Sequence, residues 1–376
     1  MIESMYKRKK ILIIHSSLGG GGAEKVLIEI LANFDYKNYD IDLFIMKKEG
    51  IYINSIPHSV NILDVKIRIF PSWCSRLLIL TNLYGLYLKN KVRHYLKNKH
   101  YDTVISFMEG PPAKCHSYIL DKGDKNITWV HTDLYSNHWS KLFFPKRNEE
   151  LFFYRKVNEI VFVSDTAKSN FNKLFRFSKG KVIYNLIDRD AIRNKACLIK
   201  FEKDKFTLCN VGRLTNIKRQ DRIIEVASIL KKMDYDVDFW ILGEGELKQK
   251  LKEQAKTLGV ESMVHFYGFQ ENPYAYIKAA DVFLLTSDNE GFPLVVAEAL
   301  CLSKPVISTP ITGPTEQLDN GNYGILTTFD VENIANAIKQ LIDKPALLKE
   351  YENKADYRGR EFFDVKRTMQ QIYETI

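Results

Sequence analysis

The chain has 376 residues, of which 45% are hydrophobic and 27% charged, a composition typical of a globular protein long enough for two domains. Its cysteines form no CxxC pair and are odd in number, which argues against a zinc or disulfide framework and for a reducing compartment; they are Cys74, Cys115, Cys197, Cys209 and Cys301. The basic N-terminus precedes only a short strand-like run, and no apolar run reaches the ~18 residues of a membrane span, so we expect a cytoplasmic protein without a signal peptide.

Short apolar runs alternate with amphipathic stretches along the whole chain. This alternation predicts an α/β fold in which parallel sheets are covered by helices on both faces, with one doubly wound sheet in each half. The predicted strands are 10–15, 42–46, 102–107, 127–131, 160–164 and 182–186 in the first half, and 206–211, 237–242, 264–267, 281–286 and 305–309 in the second. Helical patterns between them include 24–33, 220–232 and 246–258. We predict an N-terminal domain at 1–188, a linker at 189–205, a C-terminal domain at 206–360 and a final helical segment at 361–376.

A glycine cluster follows the first predicted strand. Gly19, Gly20, Gly21 and Gly22 lead into Ala23-Glu24 at the start of a helix. The cluster is neither GxGxxG nor a Walker loop, so the pattern indicates neither a nicotinamide site nor a P-loop. Glycines here let the backbone approach a ligand closely, although a merely flexible turn remains the alternative interpretation.

The positive charge is concentrated early in the chain. The formal net charge is +9, and residues 1–190 hold 30 Lys/Arg against 19 Asp/Glu. The stretch 65–101 contains eight Lys/Arg and no acid, interleaved with Trp73 and a run of leucines and tyrosines. Such a segment is attracted to an anionic membrane surface, or it is a core helix with a solvated basic face. No recognised nucleic-acid motif accompanies the charge, so we expect no nucleic-acid partner.

Polar residues follow several later strands. His131 ends a predicted strand in Trp129-Val-His-Thr-Asp133, where a structural and a ligand-facing role are about equally plausible. Gly212-Arg213 and, five residues on, Lys218 follow the strand 206–211. Arg offers a planar fork for phosphate oxygens and Lys a mobile point charge, so the two could clamp a diphosphate; ordinary surface cations are the alternative. Gly243-Glu-Gly245 is a tight turn that permits close approach of a ligand.

The segment Glu290-Gly-Phe-Pro-Leu-Val-Val-Ala-Glu298 is the most informative part of the sequence. It follows a buried strand, and Gly291 and Pro293 mark a loop that turns into a helix. The free N–H groups and the dipole of a helix start make an anion site, and proline suits the first helical position. Glu298 then lies ~8 Å along the helix from that site. The pattern predicts one carboxylate at the mouth of an anion site and a second set back from it.

Eight such motifs, in this order, resemble the retaining nucleotide-sugar glycosyltransferases of the GT-B fold in glycosyltransferase family four, group 1. The likeness extends over nearly the whole chain and is greatest for enzymes of bacterial surface polysaccharides and lipid-linked oligosaccharides. The motifs are GGGGAE near residue 20, VHTD near 131, VIYNLID at 182–188, VGRLTNIK at 211–218, ILGEGE at 241–246, FYGFQENP at 266–273, SDNEGFPLVVAEA at 287–299 and PVISTPITGPTE at 305–316.

The resemblance implies a role for each matching residue. Arg213 and Lys218 match the cations on the donor phosphates, Glu290 the carboxylate on donor-sugar hydroxyls, and Glu298 the carboxylate on the ribose. His131 matches a histidine near the outer hydroxyls of the sugar. Gly291-Phe292-Pro293 matches the loop that contacts the sugar and the phosphate. Gly20, Gly21 and Gly22 match the loop over the phosphates. Gly243 and Gly245 flank Glu244, where many members carry Asp or Ser.

The resemblance also implies an activity. We expect two Rossmann-like domains facing each other across a cleft, with the last helix packing on the N-terminal domain. The expected reaction moves a hexose or N-acetylhexosamine, with retention, from a nucleoside-diphosphate sugar, UDP-linked by resemblance, to a glycan or lipid-linked glycan. The cations take the charge of the leaving diphosphate, so no metal or other cofactor is expected. The alternatives are a nucleotide-sugar epimerase of the same shape, a glycoside hydrolase, which also uses two carboxylates, and a non-enzymatic sugar-nucleotide sensor.

Overall fold

The structure, a computed structural model, describes residues 8–63, 65, 83–144, 146 and 148–376. The chain divides into two compact units: unit 1 comprises Met1–Leu186 together with Lys366–Ile376, and unit 2 comprises Ile187–Val365. Each unit contains one sheet of parallel strands with connecting helices. The prediction of two doubly wound, Rossmann-like domains is therefore confirmed.

Unit 1 is built on a seven-stranded sheet in the order β3-β2-β1-β4-β5-β6-β7. Its strands are β1 Lys9–His15, β2 Tyr39–Ile45, β3 Val60–Leu63, β4 Tyr101–Ser106, β5 Gly123–Val130, β6 Glu159–Phe162 and β7 Lys181–Val182. Its described α-helices are α1 Gly22–Ala32, α2 Leu83–Tyr95, α3 Pro111–Ser117, α4 Glu149–Lys156 and α5 Asp165–Phe175. Short 3₁₀ turns lie at Ile53–Ser55, Leu120–Lys122 and Trp139–Phe143. Central strand β1 is apolar on both faces, as a parallel strand covered on both sides must be.

Unit 2 is built on a six-stranded parallel sheet in the order β10-β9-β8-β11-β12-β13. Its strands are β8 Phe206–Val211, β9 Val237–Leu242, β10 Val264–Gly268, β11 Val282–Leu285, β12 Val306–Ser308 and β13 Ile325–Leu326. Its helices are α6 Arg189–Ala196, α7 Gln220–Lys232, α8 Lys248–Thr257, α9 Pro273–Ala279, α10 Leu294–Cys301, α11 Thr312–Gln317, α12 Val331–Asp343 and α13 Pro345–Glu361, with a 3₁₀ turn at Asp319–Gly321. The final helix, α14 Val365–Thr375, forms nearly all of the C-terminal segment of unit 1, Lys366–Ile376.

Helix α7 illustrates how the sequence builds these layers. Ile223, Ala227 and Leu230 recur at helical spacing and are completely or almost completely buried against β8 and β9 in the core of unit 2. Each aliphatic side chain of this size contributes about 1.5–3 kcal/mol when it is fully buried. The strands β8 and β9 and the helix α7 begin and end at the residues predicted from the sequence.

Several details differ from the predicted elements. Two strands were not predicted. The polar Asn61 interrupts the apolar run of β3, and β13 is only two residues long. The strand predicted at 182–186 is also only two residues long, Lys181–Val182. The segment 189–205, predicted as a linker, contains the helix α6, which packs against α9 and α10 within unit 2.

Each sheet contains one point at which the strand order reverses. In unit 1 this point lies between β1 and β4, and in unit 2 it lies between β8 and β11. The loops that leave these neighbouring strands diverge and open a crevice at the carboxyl end of the sheet, which is where doubly wound folds bind ligands. Arg213 follows β8 and Glu290 follows β11, so the topology brings the two predicted motifs of unit 2 to one such point.

Candidate functional site

The loop between β8 and α7 carries both predicted cations. Its backbone is held from several sides: the Gln220 side-chain amide donates to the Arg213 carbonyl at 3.1 Å, and the Thr286 hydroxyl donates to the Arg219 carbonyl at 2.9 Å. The Arg213 side chain is exposed, and its guanidinium makes no hydrogen bond or ion pair with any residue that the structure describes. Arg213 is therefore a charged group on a fixed backbone that is available to an anion.

Lys218, at the other end of this loop, is paired with Glu290. The Lys218 ammonium forms an ion pair with Glu290 Oε1, and the Ser287 hydroxyl donates to the same oxygen at 3.0 Å. The two side chains are 24% and 15% exposed. The structure thus brings together two predicted site residues that lie 72 positions apart in the chain.

The glycines of the 243–245 turn pack against the loop between β8 and α7. Gly243 has φ +134°, and a Cβ on it would lie 2.0 Å from the Gly212 carbonyl oxygen; a Cβ on Gly245 would lie 2.3 Å from the Leu214 carbonyl oxygen. The Leu214 N–H donates to the Glu244 carbonyl at 3.0 Å. In this structure the two glycines lie against the backbone on either side of Arg213. The close approach of a ligand to this turn stays a prediction.

A second support holds the loop between β11 and α10. A Cβ on Gly313, at the start of α11, would lie 2.6 Å from both the Gly291 carbonyl oxygen and Pro293 Cδ, so only glycine allows this contact. The Gln317 side-chain amide donates to the Pro293 carbonyl at 3.2 Å, and the Thr309 hydroxyl donates to the Ser287 carbonyl at 2.6 Å. Thr309 and Gly313 belong to the PVISTPITGPTE motif, to which no role had been assigned from the sequence, and Gln317 follows it directly.

Helix α10 starts one residue later than expected. Pro293 is its N-cap, with extended backbone, and Leu294 is the first helical residue. The first N–H groups of a helix have no partner within it, so the start of α10 directs N–H groups and the positive end of its dipole toward the loop of Glu290. Phe292 is 6% exposed, and Glu298, on the second turn, is 2% exposed. The ribose contact predicted for Glu298 stays a prediction.

A cluster of charged side chains that the sequence did not predict, Arg219, Arg222 and Asp288, fixes the loop between β11 and α10. Arg222 is 8% exposed and donates to the Thr286 carbonyl at 2.8 Å and to the Asp288 carboxylate at 2.6 Å, and Arg219 also pairs with Asp288 at 3.1 Å. Burial alone would raise the pKa of Asp288, but the bonds from Arg219 and Arg222 outweigh it and hold that pKa below its ordinary value. Arg219 itself adopts a left-handed conformation, φ +52°, to cap α7.

In unit 1 the glycine cluster forms the start of α1. Gly21 is the N-cap, Gly22 is the first helical residue, and the Glu24 carboxylate accepts the Gly21 N–H. Gly20 has φ +104°, a conformation that favours glycine. A Cβ on Gly20 would press on the flexible end of Ile51. Part of the glycine pattern is therefore explained by the local geometry of the turn.

His131 follows β5 and is held by a residue that the sequence did not reveal. Glu109, completely buried after β4, accepts the His131 N–H at 2.9 Å and the Thr132 hydroxyl at 2.6 Å. The His131 imidazole is 9% exposed, and its Nε2 has no hydrogen-bond partner among the described residues. Burial, with a contribution from the nearby His15, lowers the pKa of His131 to about 3, so the ring is neutral. Because its hydrogen bond to the Phe107 backbone is made by Nδ1, the proton lies there and Nε2 is an acceptor.

The basic stretch 65–101 lies partly outside the described residues, including Trp73 and three of its cations. In its described part, Leu88 and Val92 of α2 belong to the core, while Leu83 and Leu86 are 54% and 50% exposed. Two of the cations have acidic partners from other segments: Arg93 pairs with Asp121 at 2.8 Å and Lys99 with Asp42 at 2.9 Å.

The described part of the chain offers neither a membrane span nor a metal site. None of its helices is both long enough and apolar enough to cross a membrane. It also contains no group of three or more His, Cys, Asp or Glu side chains placed to hold a metal ion.

Comparison with known families and structures identifies the fold. The profile described as "Glycosyltransferase Family 4" matches residues 20–191, and "Glycosyl transferases group 1" matches residues 192–362. HepE from Anabaena, solved in complex with UDP and glucose, superposes with a TM-score of 0.77 at 22% identity over 98% of this chain and 99% of that one. WaaG, a glycosyltransferase involved in lipopolysaccharide biosynthesis, superposes with a TM-score of 0.73 at 16% identity over 97% and 99%. The chain has the GT-B fold.

A curated relative gives the sequence relationship. The N-acetylgalactosamine-N,N'-diacetylbacillosaminyl-diphospho-undecaprenol 4-alpha-N-acetylgalactosaminyltransferase of Campylobacter jejuni is 30% identical over 95% of this chain and 97% of its own length. Similarity of this extent, together with the two domain profiles, establishes the relationship over both units. The chain is a glycosyltransferase and belongs to the family that joins a family 4 N-terminal domain to a group 1 C-terminal domain.

Proposed function

We propose that the protein transfers an N-acetylhexosamine or hexose from a UDP-linked donor, with retention of configuration, to a hydroxyl of a lipid-linked glycan in bacterial polysaccharide synthesis. The observation that carries the proposal is the convergence of Arg213, Lys218 and Glu290 beside the start of α10, at the strand reversal between β8 and β11. Two cations and a helix N-terminus suit a diphosphate, and an adjacent carboxylate suits the hydroxyls of a sugar attached to it.

The proposed mechanism follows from charge. As the sugar leaves, negative charge grows on the diphosphate, and Arg213, Lys218 and the N–H groups at the start of α10 stabilise it. The carboxylate of Glu290 orients the sugar through its hydroxyls. The leaving phosphate itself serves as base for the acceptor hydroxyl. Because these groups carry the charge, we propose that the enzyme needs no metal ion, and activity should persist in EDTA.

The remaining predicted residues have subsidiary roles in this proposal. Glu298 binds the ribose, and Gly291, Phe292 and Pro293 present backbone to the sugar and phosphate. For unit 1, the family resemblance supports a role for the neutral His131 as an acceptor for a sugar hydroxyl, and for Gly20, Gly21 and Gly22 as contacts of the phosphates. Gly243 and Gly245 act indirectly, because they allow the tight packing that fixes the backbone of Arg213.

Relatives support the class of substrate. The Campylobacter jejuni relative transfers an α-linked N-acetylgalactosamine to a glycan on undecaprenyl diphosphate, according to its name. HepE was crystallised with UDP. We therefore favour a UDP-N-acetylhexosamine donor and a polyprenyl-diphosphate glycan acceptor.

Binding measurements test the donor site. Calorimetry should detect UDP binding to the wild type, and the combined change Arg213→Ala and Lys218→Ala removes two charge-assisted contacts of about 1.5–3 kcal/mol each. UDP affinity should fall at least about tenfold. A double variant at exposed lysines of α8, Lys252→Ala with Lys256→Ala, removes the same charge and should bind UDP like the wild type. Equal UDP affinity in the two double variants would mean that the diphosphate binds elsewhere.

Turnover measurements separate the rival activities. A transferase releases UDP from UDP-N-acetylgalactosamine rapidly only when a polyprenyl-diphosphate glycan is added. An epimerase converts the donor without any acceptor, and a hydrolase acts on glycosides without a nucleotide. Glu290→Gln should abolish transfer, because the amide cannot replace the carboxylate as a double acceptor for sugar hydroxyls. Near-normal transfer by this variant would mean that Glu290 does not bind the sugar.

We further propose a peripheral position on the inner face of the membrane, mediated by the stretch 65–101. Each Lys or Arg near an anionic surface contributes about 1 kcal/mol, and the exposed Leu83 and Leu86 add apolar contact. The pairing of Arg93 and Lys99 with acids reduces the number of available cations.

Co-sedimentation with phosphatidylglycerol and phosphatidylcholine vesicles tests the membrane proposal. The protein should bind only the anionic vesicles, and 1 M salt should release it, because the Debye length falls to ~3 Å. Charge reversal at α2 (Lys89→Glu with Lys91→Glu) should weaken binding, whereas the same reversal on α8 (Lys252→Glu with Lys256→Glu) should not. Equal sedimentation of both double variants would leave 65–101 without a membrane role.

A further inference from the structure

Two groups of the proposed donor site neutralise each other in this structure. The Lys218 ammonium is held by Glu290 Oε1, which also accepts the Ser287 hydroxyl at 3.0 Å. Arg213 differs from Lys218, since its guanidinium has no partner among the residues described. One phosphate-binding cation is thus available from the outset, and the other is already engaged by the carboxylate assigned to the sugar.

UDP and a UDP-sugar present different charges and hydrogen-bond donors to Lys218 and Glu290. A phosphate that engages Lys218 brings its oxygens close to the Glu290 carboxylate, and like charges repel in a site where both side chains are largely buried. The terminal phosphate of UDP carries up to two negative charges. In a UDP-sugar the same phosphate is a diester with one charge. The sugar also brings hydroxyl donors that can satisfy Glu290 once Lys218 turns to the phosphate.

We propose that the Lys218–Glu290 pair is a specificity determinant that favours the intact nucleotide sugar over the free nucleoside diphosphate. The donor exchanges the partners of both side chains: phosphate replaces Glu290 at Lys218, and sugar hydroxyls replace Lys218 at Glu290. UDP can make only the first exchange and leaves a carboxylate beside its own charge. The site therefore releases its product more readily than it releases its substrate. This inference rests on the proposed donor site.

Calorimetry on the full-length protein with two ligands, UDP and UDP-N-acetylgalactosamine, tests this inference. Glu290→Gln removes the repelling charge, so UDP should bind about threefold more tightly than to the wild type, the effect of one partly exposed ion pair. UDP-N-acetylgalactosamine should gain nothing, because it loses its partner for the sugar hydroxyls. The dissociation constant of UDP should therefore fall relative to that of UDP-N-acetylgalactosamine. UDP affinity that is unchanged or weaker in Glu290→Gln overturns the inference.

Two further variants make the result decisive. Glu350→Gln breaks an exposed ion pair with Lys354 on α13 and removes the same charge, and it should leave both affinities at wild-type values. Glu290→Ala removes the carboxylate without adding an amide donor and should also tighten UDP binding; a melting curve verifies that each variant folds.

Arg213→Ala separates this inference from the proposed function. If Arg213→Ala weakens UDP binding while both Glu290 variants leave it unchanged, the donor site is supported and the specificity role of the Lys218–Glu290 pair is wrong. If Arg213→Ala has no effect, the donor site itself is misassigned.

Discussion

Three buried histidines in unit 1 carry no charge at neutral pH. Burial lowers the pKa of His15 and of His116 to about 4 and that of His131 to about 3, from an ordinary value of 6.5. His15 and His116 lie in the sheet and its first covering layer, where Nδ1 of His15 donates to the Ser17 carbonyl at 2.8 Å. A ring that is kept neutral can act as a hydrogen-bond acceptor, which is the property proposed for His131.

The neutral histidines make the stability of unit 1 dependent on pH. Unfolding restores the ordinary pKa, so below about pH 6.5 the unfolded chain binds more protons than the folded one. The free energy of unfolding therefore falls on acidification and levels off below the folded-state pKa values near 4 and 3. Between pH 7.5 and 5.5 each such histidine should cost about 1.4 kcal/mol. Urea unfolding at the two pH values measures the difference.

A matched pair of variants assigns this dependence. His116→Gln removes one buried imidazole, so its loss of stability between the two pH values should be about 1.4 kcal/mol smaller than that of the wild type. His100→Gln removes an exposed imidazole, paired with Asp124 at the surface, and should change the difference little. An undiminished pH dependence in His116→Gln would show that this ring does not become protonated on unfolding in that range.

At the level of elements, the donor site depends on how closely two loops pack. The turn at Gly243–Gly245 lies directly against the backbone of Gly212 and Leu214, and the start of α11 lies against Gly291 and Pro293. Neither contact leaves room for a side chain. The loops that carry Arg213 and Glu290 are therefore positioned by glycines on other segments.

Gly243→Ala tests this positioning. Its Cβ would lie 2.0 Å from the Gly212 carbonyl oxygen, so the loop of Arg213 must move. We expect a lower melting temperature and at least about a tenfold loss of UDP affinity, because one charge-assisted contact is displaced. Gly259→Ala is the control, since Gly259 also has positive φ but a Cβ there would meet only Lys231 Nζ, at 3.9 Å. It should cost about 1 kcal/mol of stability and no UDP affinity. Normal UDP binding by Gly243→Ala would show that the loop tolerates the shift.

The sequence allowed the elements of this site to be predicted better than their contacts. The alternation of apolar and amphipathic stretches predicts β8, β9 and α7 at their observed residues, because burial on both faces of a strand and on one face of a helix is a local property. The ion pair of Lys218 with Glu290 depends on β11 lying next to β8, and no local periodicity encodes the order of strands. Glu109 was missed for a similar reason: its partners, His131 and Thr132, follow a different strand.

At the level of the whole molecule, unit 1 is assembled from two separate segments. Within it, Tyr373 of α14 stacks on Tyr39 at 5.5 Å and meets Phe34 edge-on at 5.4 Å. Its hydroxyl accepts the Asp35 N–H at 2.8 Å and donates to the Asn33 carbonyl at 3.3 Å. The last helix is thus tied by both packing and hydrogen bonds to the end of α1 and the start of β2.

Tyr373→Ala should destabilise unit 1. The variant loses two aromatic contacts and leaves the Asp35 N–H without this partner, at a cost of about 2 kcal/mol for a half-buried ring. Tyr357→Ala is the control: its ring is 52% exposed and stacks only on Tyr323, in unit 2. Hydrogen exchange of the β1 and β2 amides should be faster in Tyr373→Ala and unchanged in Tyr357→Ala. Equal exchange in the two variants would mean that α14 does not contribute to the stability of the sheet.

The return of α14 to unit 1 also sets an order of events during synthesis. The ribosome makes the strands β1 to β7 first, and then the whole of Ile187–Val365, before it reaches the residues of α14. At ~5–20 residues per second this interval lasts roughly 10–40 seconds. Throughout it, the rings of Phe34 and Tyr39 lack the aromatic partner that packs on them in the finished fold. The packing of Tyr373 on Phe34 and Tyr39 is therefore a late contact, which forms only after the final helix has been translated.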